Sequence, residues 1–63
     1  MMLESELKIG TLFRDQNGHG GPVYFYIYIE KNELNKHVFY CLKRKTIFKT
    51  SWHIIREWFE KII

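Results

Sequence analysis

The chain has 63 residues and a formal net charge of +3 at pH 7, with 46% hydrophobic and 27% charged residues. This composition is too apolar for a disordered chain and too charged for a segment that spans a membrane. A chain of this length buries only about 60% of the surface that its unfolded form exposes. We therefore expect one small domain, residues 1–63, without a deep substrate cleft.

The cysteine content and the first residues indicate where the protein works. A single cysteine, Cys41, excludes an intramolecular disulfide framework. Glu4 and Glu6 lie where a signal peptide would carry basic residues. The longest uncharged apolar run, residues 23–29, has the length of a strand, whereas a spanning helix needs about 20 residues. These features predict a cytoplasmic protein without membrane contact.

Residues 7–30 predict two strands separated by a loop. Apolar side chains alternate along residues 7–14, which indicates a first strand. Residues 15–22 are rich in Gly and Asn and include a Pro, so we expect a loop there. Residues 23–30 form the clearest strand, because β-branched and aromatic residues alternate with a period of two. Its two faces are an aliphatic row and a tyrosine row: Val23, Phe25, Ile27 and Ile29 on one, and Tyr24, Tyr26 and Tyr28 on the other.

The second half predicts two more strands and a helix. Residues 37–43 are apolar on both faces, and residues 46–49 form a fourth, short strand. Residues 51–62 predict an amphipathic helix that Thr50 or Ser51 can cap, with an apolar arc of about 180°. We expect the helix to pack on the aliphatic row of residues 23–29. The residues assigned to that contact are Trp52, Ile55, Phe59 and Ile62.

This order of elements predicts an α+β, mainly β fold. Four short antiparallel strands would form a small curled sheet or a partly open barrel, closed by the C-terminal amphipathic helix. The segment Leu7-Lys8-Ile9-Gly10-Thr11-Leu12 resembles the first strand of SH3-like barrel proteins. Residues 49–59 are similar to the capped terminal helix of small uncharacterised proteins from low-GC bacteria and their phages. The resemblance implies a barrel fold and carries no functional residue with it.

The sequence offers no recognisable catalytic or metal-binding pattern. His19, His37 and His53 lack metal-ligand spacing, and we interpret them as unrelated surface or loop histidines. Their convergence with Cys41 is the alternative. Cys41 itself lies in the middle of a predicted strand, where a free cysteine is usually a small buried hydrophobe. The glycine-rich residues 18–22 lead into a strand, whereas a phosphate-binding loop leads into a helix. We therefore predict a non-enzymatic protein with no metal and no cofactor.

Exposed aromatic residues predict a protein-binding role. The tyrosine row of residues 24–28 could provide rigid contacts, since Tyr is enriched at interface hot spots. The alternative is that this row packs under the helix. The predicted contact residues are Tyr24, Tyr26, Tyr28, Ile54 and Trp58. The chain would be a modulator or inhibitor, of the kind that phages and mobile elements encode, which occupies a surface of a larger protein. Self-association into a homodimer would hide the same residues.

A basic cluster provides the alternative function, which is nucleic-acid binding. Eight of the ten Lys and Arg residues lie in residues 31–63. Those nearest the third and fourth strands could contact phosphates while the tyrosines stack on bases. These basic residues are Lys43, Arg44, Lys45 and Lys49. The structural interpretation of the same cluster is a solvated turn that protects a sheet edge.

Overall fold

The computed structural model describes residues 3–15 and 23–62. In these residues a 3-10 helix precedes five strands and one α-helix. Their bounds are Glu4–Glu6 for the 3-10 helix, Leu12–Asp15 (β1), Phe25–Lys31 (β2), His37–Cys41 (β3), Thr46–Thr50 (β4), Trp52–Trp58 (α1) and Phe59–Lys61 (β5). The strands form one antiparallel sheet in the order β4-β3-β2-β1-β5. The glycine-rich segment and His19, considered above, lie outside the described residues.

The mainly β, antiparallel architecture with a helix near the C-terminus is confirmed. Of the two expected forms, a small sheet or a partly open barrel, the barrel is wrong. The sheet is open, with β4 at one edge and β5 at the other. The physical reason is a fifth strand that the sequence did not indicate. β5 pairs with β1 and extends the sheet at the edge away from β4. A barrel requires its first and last strands to meet, and here α1 connects these two edges instead.

The C-terminal helix is shorter than the predicted range 51–62. It ends at Trp58, and Phe59 takes the extended backbone conformation (φ −109°, ψ 147°). Phe59, Glu60 and Lys61 then pair with residues 13–15 of β1. The hydrogen-bonding groups of the β1 edge are satisfied in this way, which a further helical turn would not achieve.

The first strand is also shorter than predicted. It begins at Leu12, whereas residues 7–14 were expected to be extended. Gly10 has a φ of +88°, and the Thr11 N–H donates to the Lys8 carbonyl oxygen at 2.9 Å. This turn redirects the chain, because a positive φ interrupts an extended segment and glycine adopts it most readily. The 3-10 helix therefore lies against the sheet instead of extending β1.

The two faces of the sheet have the opposite roles to those expected. Among the described residues, seven form the core cluster: Phe13, Tyr26, Tyr28, Phe39, Cys41, Ile55 and Phe59. The helix therefore packs, through Ile55, on the face that carries the tyrosines, which we call the core face. The expectation that it packs on the aliphatic row is wrong. The tyrosine rings join Phe13, Phe39 and Phe59 from other strands in one buried aromatic cluster, and the helix covers that cluster. The predicted burial of Cys41 is confirmed.

Candidate functional site

The opposite face of the sheet, which we call the outer face, carries an apolar row that crosses β4, β3, β2 and β1 and ends at Ile62, the residue that follows β5. Cross-strand register places Ile47 opposite Tyr40, Tyr40 opposite Ile27, and Ile27 opposite Leu12. Ile62 completes the row, because its N–H donates to the Leu12 carbonyl oxygen at 2.9 Å. Directly paired residues share one face of an antiparallel sheet. We call these five residues the outer row.

A second set of outer-face residues lies one step along the strands. Phe25 is paired with Arg14, and Arg14 with Glu60. The Leu42 N–H donates to the Phe25 carbonyl oxygen at 3.0 Å, which places Leu42 opposite Phe25. Arg14 and Glu60 form an ion pair. The outer row is therefore bordered by two further apolar side chains and, towards β5, by paired charges.

The outer row remains accessible. The exposed fraction is 53% for Ile47 and 39% for Ile62, while Leu12, Ile27 and Tyr40 are half-buried. An antiparallel sheet with one solvated face normally alternates apolar and polar residues. Strand β2 instead reads Phe-Tyr-Ile-Tyr-Ile, apolar on both faces. A contiguous apolar surface of this kind marks an interaction site more often than isolated apolar residues do.

The structure separates the residues that were predicted to bind protein. Tyr26 and Tyr28 are buried in the core, and Tyr24 is partly buried against it. A partner cannot reach the buried rings of Tyr26 and Tyr28. For these two residues the structure agrees with the alternative interpretation, in which the tyrosine row packs under the helix. Trp58 remains 39% exposed and Ile54 is half-buried. The accessible apolar surface of β2 is the aliphatic row, which was expected from the sequence to be covered by the helix.

Burial of the tyrosines predicts a loss of stability in alkali. Burial raises the pKa of Tyr26 above its ordinary value of 10.0, and the charges of Cys41 and Asp15 add to the rise. The folded state therefore favours the neutral phenol. Its stabilisation is fully present below pH 10.0 and is lost as the pH rises through the folded-state pKa. In urea unfolding from about pH 9 to 12, we expect Tyr26→Phe to lose less stability than the natural chain. Parallel curves for the two proteins would contradict this assignment.

The predicted basic patch is divided. Arg44 stacks on Tyr24, with 4.7 Å between its guanidinium carbon and the ring centroid, and Lys43 Nζ lies 5.8 Å from the same centroid. Arg44 also donates a hydrogen bond to the Tyr24 hydroxyl at 3.3 Å. Lys45 is exposed in the turn between β3 and β4, and Lys49 is paired with Val38 on the outer face. The structure thus brings Lys43 and Arg44 together with an aromatic ring, and places Lys49 elsewhere.

A hydrogen-bonded chain of three side chains, which runs from the buried Tyr28 and His37 to the exposed Glu4, was missed by sequence reasoning. His37 is buried, which corrects its assignment as a surface or loop residue. Its Nε2 lies 2.7 Å from Glu4 Oε2, and its Nδ1 lies 2.9 Å from the Tyr28 hydroxyl. A carboxylate only accepts, so Nε2 carries the proton, and in the neutral ring Nδ1 accepts from the Tyr28 O–H. The chain fixes the 3-10 helix, through Glu4, to the core face.

Part of this chain had a signal in the sequence. His37 shares its strand face with Phe39 and Cys41, which are two and four residues further on, and that period indicates a buried position. Glu4 lies 33 residues away from His37 and gave no signal. The order hydroxyl, imidazole, carboxylate also occurs in catalytic triads. Here the hydrogen bond between the hydroxyl and the imidazole is buried, so we assign the chain a structural role.

The described residues contain neither a metal-binding cluster nor a helix that could span a membrane. In residues 3–15 and 23–62, no three His, Cys, Asp or Glu side chains lie close enough together to hold a metal ion. Within the same residues, no helix has the length and apolar character needed to cross a membrane. Comparison of the chain with protein-family models, with curated proteins and with solved structures finds no match.

Proposed function

We propose that the chain is a small, non-enzymatic protein-binding module that acts by occupying a surface of a larger protein. The observation that supports this proposal is the outer row, five apolar side chains in register across the whole sheet. Four of them lie on paired strands, and the backbone of Ile62 is hydrogen-bonded to Leu12, so the surface is formed before a partner arrives. A preorganised surface loses little conformational entropy on binding.

The contact residues differ from those expected from the sequence. We assign the contact to the outer row together with Phe25 and Leu42, which are exposed beside it. Trp58 and Ile54 on α1 provide a second, smaller patch, as the sequence indicated. The mechanism that we propose is steric. The module covers its partner's surface, and no residue of the module reacts. Modulators of this kind, encoded by phages or mobile elements, need little more than a folded surface.

Site-specific photo-crosslinking in the natural host tests this proposal. A benzophenone amino acid replaces Tyr40 on the outer face in one variant and Ile9, which is 80% exposed in a turn, in the control. We expect the first variant to form an adduct with a larger protein, and the control to form none. Introducing Ile47→Glu beside the Tyr40 probe should abolish that adduct, because a carboxylate would be desolvated in the contact.

The outcomes of that experiment separate the possibilities. Equal adducts from both positions, or none from the Tyr40 position, would overturn the assignment of the outer face. An adduct with nucleic acid would favour the alternative function.

Nucleic-acid binding is the second candidate, and one observation favours it. Tyr24 carries both Lys43 and Arg44 against its ring, so positive charge and an aromatic side chain occupy one corner of the molecule. Such a corner could contact phosphates. The face of the Tyr24 ring on which Arg44 stacks is not free to stack on a base, which weakens this candidate. Salt distinguishes the two functions, because phosphate contacts weaken steeply between roughly 50 and 200 mM salt and an apolar contact does not.

A further inference from the structure

The outer row is self-complementary. Two copies can place their outer faces in contact around a two-fold axis that is parallel to β2 and midway between the two sheets. Strand β1 of one copy then faces β3 of the other, and β4 faces β5. Ile27 meets Ile27, Tyr40 meets Leu12, and Ile47 meets Ile62. The Tyr40 ring is therefore opposite the smaller Leu12 side chain. The row contains no charged residue, so the contact between the two rows buries no charge.

The charges beside the row are complementary under the same axis. The turn between β3 and β4 carries three basic residues. Lys43 and Arg44 lie against Tyr24, which packs on the core face, so Lys45 is the exposed residue of the turn that can face the second copy. Under the axis, Lys45 would lie over the β5 edge of the second copy, which carries Glu60. Arg14, the partner of Glu60 within the chain, would lie opposite Leu42 of the second copy. Opposite charges would therefore meet at the rim, while the centre is apolar, as in stable protein interfaces.

The area agrees with a dimer of modest affinity. Five strands about 4.8 Å apart, with five residues rising about 3.3 Å each, give a flat patch of roughly 24 by 16 Å. Each patch covers about 380 Å², so two patches in contact bury about 770 Å² in total. This area is below the roughly 1,200 Å² of a standard interface and is of the size expected for a weak dimer that forms only at high concentration. Two packed sheets with aligned strands form a common β architecture, so the geometry requires no rearrangement of either copy.

We propose that the outer face is occupied by a second copy of this chain, giving a face-to-face, two-fold dimer centred on Ile27. The inference rests on the proposed function, because it takes the outer face to be a contact surface and names its occupant. A closed two-fold contact covers both apolar faces at once and leaves neither open for further growth. The partner protein of the module would then compete with the second copy for the same residues.

Sedimentation over a concentration series tests the dimer with a matched pair of variants. The natural chain should change from 7.8 kDa towards twice that mass as its concentration rises. Ile47→Glu should raise the dimer dissociation constant by about 100-fold, since each dimer loses two buried isoleucines. Ile9→Glu, the same substitution at an exposed turn, should dimerise like the natural chain. Near-ultraviolet circular dichroism of both variants checks that the core is intact.

Each outcome has one meaning. A natural chain that stays at 7.8 kDa at millimolar concentration overturns the dimer, and an adduct from the Tyr40 probe would then still support the proposed function. A dimer that Ile47→Glu leaves unchanged places the contact elsewhere and also overturns the inference. If the chain is monomeric and the Tyr40 probe gives no adduct, the proposed function fails together with the dimer.

Discussion

Replacing Phe39 by alanine is expected to unfold most of the protein at 25 °C. Phe39 is fully buried, and its ring lies 5.0 to 5.6 Å from the rings of Phe13, Tyr28 and Phe59. Truncating a buried Phe costs about 3–5 kcal/mol. A core in a chain of this size rarely supplies more than about 3–5 kcal/mol in total, so the variant retains little stability. Urea unfolding followed by far-ultraviolet circular dichroism measures the loss.

Phe48 provides the matched control, because it is paired directly with Phe39 on the neighbouring strand. It lies at the sheet edge, is 37% exposed, and has ring contacts at 5.6 Å with Tyr26 and 6.1 Å with Phe59. Phe48→Ala should cost only about 1 kcal/mol, since part of the ring is already in water. Similar losses for the two variants would show that Phe39 is not the centre of the core.

Removing the His37 imidazole is expected to have the second largest effect. His37→Ala leaves the Tyr28 hydroxyl without its buried partner and releases Glu4 from the core face. A buried polar group left unsatisfied costs about 1–3 kcal/mol, and the lost packing of the ring adds to this. We expect a total of about 2–4 kcal/mol in urea unfolding. Hydrogen exchange should also show faster exchange in the 3-10 helix at Glu4–Glu6.

His53→Ala is the control for this prediction. Its ring is exposed on α1 and its nearest carboxylate, Glu57, lies 3.8 Å away. Exposed pairs of this kind contribute about 0–1 kcal/mol, so the variant should unfold almost like the natural chain. The Tyr28→Phe variant completes the comparison. If the losses in unfolding free energy caused by Tyr28→Phe and by His37→Ala add exactly in the double variant, the two side chains are not coupled.

The location of the outer row would separate the proposed binding from stability. The sheet residues of the core cluster lie on the other face, and Ile47 is exposed on an edge strand. Substitutions there change the contact surface without opening a cavity in the core. The Phe39 and His37 variants do the reverse, because they change the core and leave the outer row in place. Loss of binding without loss of folding is therefore the signature of an outer-face residue.

Several elements could be predicted because their signal is local. The alternation in residues 23–30 and the apolar run in residues 37–43 depend on neighbouring side chains, and the strands were found near those positions. The helix could be predicted for the same reason, but the residue at which it ends could not. The apolar residues Trp58 and Phe59 fit a helical arc, and Phe59 and Lys61 fit a strand that alternates. Only the backbone of β1, more than 40 positions earlier in the chain, decides between them.

The sequence by itself determined a small, mainly β fold with antiparallel strands, a helix near the C-terminus and a buried Cys41. Each of these follows from the period of side chains along a few residues. The tertiary structure alone decided which face of β2 is covered, since both faces are apolar and the period is the same for each. It also decided that Glu4 and Tyr28 meet at His37, and that the sheet stays open. These outcomes depend on contacts between distant segments, which no local pattern encodes, and the exposed outer row is the result.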